Sequence, residues 1–155
     1  MNLEKGSLQA PKSEMVESRL RLRRAREAGS KTPEQLGEIV SDVPSYHDLE
    51  NCDGELYNNL SLGNLSRLCS ALGIKPCELF GHGINAEQTI SPEQLVFKTK
   101  EYLRQNTLNI AEFEARIGFE IGPSLNDASK VLDWNVDFLR WLCGELGLDW
   151  RLTLP

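Results

Sequence analysis

The 155-residue chain has only two histidines, His47 and His82, and four cysteines, no two of which form a CxxC pair. Scattered donors of this kind do not match the ligand spacing of a structural zinc site, so neither metal nor cofactor is expected. No apolar run approaches the roughly 20 residues a membrane helix requires. The opening MNLEKGSLQAPKSE lacks the apolar centre of a secretory signal, so the expected location is cytoplasmic with no membrane partner. A glycine-rich phosphate loop, a nucleophile elbow and converging carboxylates are also missing. Glu112 and Glu114, like Asp48 and Glu50, are two positions apart and face different sides of a helix, so catalysis is not expected.

Basic charge is sparse as well as uneven. Residues 1–40 carry eight Lys or Arg against six Asp or Glu, residues 41–82 two against six, and residues 83–155 seven against eleven, for a net charge of −6. No Lys or Arg lies between Lys31 and Arg67. A basic footprint for a phosphate backbone is therefore confined to the N-terminal helix with Arg19, Arg21, Arg23, Arg24 and Arg26.

What the sequence does contain is helix punctuation, and one helix written twice. Behind Ser61 as N-cap, Leu62, Leu65, Leu68, Cys69 and Leu72 recur at helical spacing and end at Gly73. Behind Asn135, Val136, Leu139, Leu142, Cys143 and Leu146 hold the same places before Gly147. This similarity predicts an all-α chain of two small helical modules, the second a diverged repeat of the first. The expected divisions are a flexible arm at 1–14, a first module at 15–80, a linker at 81–90 and a second module at 91–155. Cys69 and Cys143 are read as core residues, and Trp134, Trp141 and Trp150 as mainly core.

Along the first module, a helix from Ser13 to Gly29 is expected to turn Met15, Val16, Leu20 and Ala25 inward. Thr32-Pro33-Glu34-Gln35 combines a Thr N-cap, Pro at the first helical position and a Gln closing a capping box. Leu36, Ile39 and Val40 face the core, Ser41 to Pro44 break the helix, and a second short helix runs from Ser45 to Asn51 with Tyr46 and Leu49 on one side. Two short helices with a tight break outline a helix-turn-helix. Residues 52–60 read as a polar loop delivering Leu56 and Leu60 to the core. In the second module, Ser91-Pro92-Glu93-Gln94 repeats the capping box, Asn109 caps a helix with Ile110, Phe113 and Ile117 inward, and Pro123-Ser124-Leu125 stands where Pro44-Ser45-Tyr46 stood.

With the basic first helix, TPEQL at the second, Leu49-Glu50-Asn51 ending the third and LCSALGIKPCELF closing the module, residues 15–80 resemble the phage-repressor, or XRE/Cro-like, helix-turn-helix family. The resemblance implies a five-helix DNA-binding domain whose third helix enters the major groove. It implies a transcriptional regulator with Arg23, Arg24, Lys31, Thr32, Ser45, Tyr46, His47 and Asn51 as the DNA-contacting set, and a partly buried ion pair between Arg26 and Glu50. Pro33 stands where family members often carry a phosphate-holding Gln. Asp42, Asp48, Glu50, Asp53 and Glu55 surround the third helix, so binding to double-stranded DNA is expected to be weak, strongly salt-dependent, or assisted by a homodimer and the arginine helix. The alternative is an antitoxin-like or adaptor module whose acidic surface at 42–55 meets a basic protein partner.

Overall fold

The computed structural model describes residues 10–82 and 88–155, and all regular structure among them is helical. The first half contains α1 (Lys12–Ala28), α2 (Pro33–Gly37), α3 (Tyr46–Asn51), α4 (Glu55–Asn58), α5 (Leu62–Leu72) and α6 (Pro76–Leu79). The second half contains α7 (Pro92–Gln105), α8 (Ile110–Ile117), α9 (Gly122–Asn126), a 3₁₀ turn (Ala128–Asp133), α10 (Val136–Leu146) and a second 3₁₀ turn (Trp150–Thr153). The expected arm at 1–14 and linker at 81–90 lie partly outside the described residues.

The helix ends follow the side chains that cap them. Thr32 Oγ1 accepts from Gln35 N at 3.2 Å while Gln35 Oε1 accepts from Thr32 N at 2.9 Å, and Ser91 and Gln94 make the same reciprocal pair at 3.1 and 2.8 Å. Ser61 and Asn135 cap α5 and α10 through Asn64 N and Phe138 N. Gly73 and Gly147 close those helices at φ of 69° and 71°, a left-handed conformation that side chains with a Cβ disfavour.

Buried residues of both halves make one contiguous core. Tyr57 and Phe80 from the first half stack with Trp150 from the second, at centroid distances of 5.3, 6.5 and 5.1 Å. Across the same seam Arg151 Nε donates to Phe80 O at 3.1 Å. Cys69, Cys77 and Cys143 are buried, and burial pushes the thiols of Cys69 and Cys143 up to about 12.

Four expectations are corrected. In α1 the buried residues are Ser18 and Leu22, rather than Val16 and Leu20. Ser18 enters the core because its hydroxyl pairs with Tyr57 Oη at 2.9 Å and reaches Glu14 O at 2.8 Å, which leaves no buried polar atom wanting. The polar loop at 52–60 contains the helical turn α4, fixed by burial of Leu56 and Tyr57. Ile110 stays 42% exposed, leaving Phe113 and Ile117 as the inward face of α8. The first helix begins at Lys12, with Ala10 already buried, so residues 12–14, expected in the arm, belong to α1.

Candidate nucleic-acid interface

The site is built from the turn that joins α1 to α2. Ser30 takes a left-handed φ of 53°, which turns the chain so that Lys31 N donates to Arg26 O at 3.1 Å and Thr32 falls at the start of α2. Pro33 pre-sets the first helical position and Leu36 anchors the short helix in the core. The chain then crosses to Ser45, whose extended backbone opens α3 without a side-chain cap.

The inner side of α3 is held by a polar lock. Arg26 donates from Nε and Nη2 to the two oxygens of Glu50 at 2.5 and 3.1 Å, a bidentate pair in which the Glu50 side chain is only 3% exposed. Tyr46 Oη donates to the same carboxylate at 3.2 Å, and Arg23 Nε lies 3.8 Å from it. The bond to Glu50 holds the Arg26 guanidinium above its ordinary value, and burial, then the charge of Glu50, pushes Tyr46 up. The expected pairing of Arg26 with Glu50 is present.

The outer side is assembled from fewer groups than the sequence suggests. Tyr46, expected at the DNA, is 4% exposed and faces inward, because its ring fills the core while its hydroxyl serves Glu50. Arg23 reaches across to α3 and donates to Asn51 Oδ1 at 2.8 Å, and Asn51 Nδ2 in turn donates to His47 O at 2.7 Å. Both ends of the Asn51 amide are thus engaged within the site. Arg24, Lys31, Thr32 and His47 are exposed, and Ser45 is half-buried. His47 Nε2 lies 3.9 Å from Glu34 Oε1 on α2.

The acidic surroundings are also changed by pairing. Asp42 accepts from Ser61 N at 2.6 Å and from Asn64 Nδ2 at 2.7 Å, so it acts as a second cap for α5. Burial works against its charge, yet these bonds hold it below the usual carboxylate range. Arg19 Nε donates to Asp53 Oδ1 at 2.7 Å, and Glu55 Oε1 accepts from Asn59 at 2.8 Å. Of the five carboxylates around the third helix, four have internal partners, and Glu50 among them is buried. Asp48 receives only a long contact, 3.9 Å, from the Cys52 thiol.

The ion pair of Arg19 with Asp53 was not legible in the sequence. They are 34 positions apart, and no local pattern links them. Among the described residues no His, Cys, Asp or Glu cluster could hold a metal ion, and no helix is long and apolar enough to cross a membrane. Comparison with protein-family models, with curated proteins and with solved structures finds no match to this chain.

Proposed function

We propose that the chain is a DNA-binding transcriptional regulator of the repressor-like helix-turn-helix type, docking α3 in the major groove. The observation that carries this reading is the polar lock. Arg26, Tyr46 and Arg23 fix the inner side of α3 through Glu50, and leave its outer side open with His47 exposed and Ser45 at its start. In this reading Arg24, Lys31 and Thr32 meet phosphates, and His47 and Ser45 meet base edges. Arg23 and Asn51 support α3, and Tyr46 belongs to the core.

With Arg19, Arg23 and Arg26 engaged inside the protein, few cations remain to displace counterions. Affinity is therefore low at physiological salt, with a shallow salt slope. The test is titration of a randomised duplex pool, followed by the selected duplex, at low and physiological salt. Arg24→Ala and Lys31→Ala each lower the salt slope by about 1 without changing sequence preference. His47→Ala changes the preference instead. Absence of binding at low salt overturns the proposal.

A second reading, an antitoxin-like or adaptor module, is favoured by one observation: Glu34 on α2 and Glu38 immediately after it are exposed, a short acidic strip suited to a basic protein partner. The same titration separates the two, because this strip repels DNA and a protein partner is indifferent to the salt-slope variants.

A further inference from the structure

The two halves touch in a reciprocal way. In the first half α4 packs on α10 of the second, while the second half's 3₁₀ turn at Ala128–Asp133, which holds the place of α4, packs on α5. Leu62 N donates to Trp134 O at 2.7 Å. Asn135 Nδ2 donates to Asn58 O at 2.9 Å. A Cβ added to Gly63 would stand 3.4 Å from Leu132 O and 3.5 Å from Leu132 Cβ. These contacts run in opposite directions along the two segments. They centre on residues 60–61 and 134–135, the same place in the repeat, immediately before α5 and α10.

A contact in which each element meets the counterpart of its own partner is the signature of a two-fold, isologous interface. The rest of the chain follows the same correspondence. The turns after α1 and α7 share three backbone bonds: Gly29 N to Ala25 O, Ser30 N to Glu27 O and Lys31 N to Arg26 O match Asn106 N to Tyr102 O, Thr107 N to Arg104 O and Leu108 N to Leu103 O. Their pivots, Ser30 and Thr107, have φ of 53° and 52°. Asn51 and Asn126, the last residues of α3 and α9, both return their side-chain amide to the carbonyl four residues back, His47 and Gly122.

We propose that the chain is an internal pseudo-dimer. The face formed by α4 and the start of α5 fits a second copy of the same module, and residues 91–155 of the same polypeptide supply that copy. The interface through which two such modules would pair is then occupied within the chain, and the protein is a monomer. For the DNA reading, on which this last consequence alone rests, a target is met by one chain through two related but unlike ends, α3 and α9.

The full-length protein tests this by mass and by melting, neither of which involves DNA. Sedimentation equilibrium gives the mass of one chain, 17.4 kDa, from low micromolar concentration upward. Gly63→Leu drives a side chain into Leu132 and lowers the melting temperature, whereas Gly144→Leu, on α10 where an added Cβ meets nothing, does not. Every variant keeps the one-chain mass. A concentration-dependent doubling of mass in the parent overturns the proposal. So does a Gly63→Leu that melts with the parent, since the two halves would then not meet there in solution.

Discussion

In the correspondence proposed above, which matches Asn51 with Asn126 rather than Tyr46 with Leu125, Arg26 and Glu50 of the first half take the places of Leu103 and Leu125 of the second. Glu50 on α3, Leu103 on α7 and Leu125 on α9 are buried, and Arg26 on α1 is half-buried. A buried ion pair gains little net stability over apolar residues of similar volume, because removing two charges from water offsets most of their attraction. In the proposed correspondence the second half fills this position with hydrocarbon alone. What the first half obtains from the charged pair is direction. A bidentate guanidinium and a tyrosine hydroxyl converging on one carboxylate define how α3 sits on α1 more narrowly than two leucines do.

The largest effects follow from breaking one member of each pair. Glu50→Ala strands the Arg26 guanidinium, and Arg26→Ala strands a carboxylate that is almost wholly buried. Each costs about 3–5 kcal/mol in chemical denaturation. Leu103→Ala and Leu125→Ala leave cavities instead, at about 2–5 kcal/mol. Replacing both charges together separates the mechanisms. Arg26→Leu with Glu50→Leu loses less than either single variant, the Tyr46 hydroxyl left without its acceptor offsetting part of the gain, while DNA affinity falls because α3 is no longer oriented. A double variant as unstable as either single variant would contradict the comparison.

Smaller effects compare the twin helices α5 and α10. Gly73→Ala and Gly147→Ala each cost about 1–2 kcal/mol, since both glycines are left-handed. Cap removal distinguishes the halves: Ser61→Ala costs about 1 kcal/mol, and Asn135→Ala costs more, because its amide also donates to Asn58 O.

The smallest effects lie in acid titration, with opposite signs. Asp42 is held below the usual value of 3.8, so its contribution is fully present above that value and is lost as pH falls through the lower folded value. Asp137 on α10 is raised above 3.8 by burial, against the opposing pull of Arg140. Its ionisation therefore weakens the fold as pH rises through the raised value. Asp42→Asn flattens the acid side of a stability profile, and Asp137→Asn removes the loss that sets in as pH rises through the raised value. Profiles that move together would contradict the assignment.

Much of this was legible in the chain. The capping boxes at Thr32 and Ser91, the left-handed glycines and the apolar stripe of α5 are local signals, readable within four residues. The Arg26–Glu50 pair was legible through the family resemblance. The rest depended on contacts between distant segments. Ser18 takes a core position only because Tyr57, 39 positions away, answers its hydroxyl, and this hides the true inward line of α1. Asp42, Asp53 and Glu55 read as a free acidic surface until their partners are known. Tyr46 read as a base contact because nothing in its neighbours reveals that its ring points inward.

The central claim, that α3 offers its outer side to duplex DNA, is tested most directly by mapping amide shifts of the isotope-labelled full-length protein on adding the selected duplex at low salt. The account predicts shifts at Arg24, Lys31, Thr32, Ser45 and His47, reversed by salt, with Tyr46 and Glu50 little changed. A spectrum unmoved by DNA at low salt, or one that moves only outside α2 and α3, contradicts it.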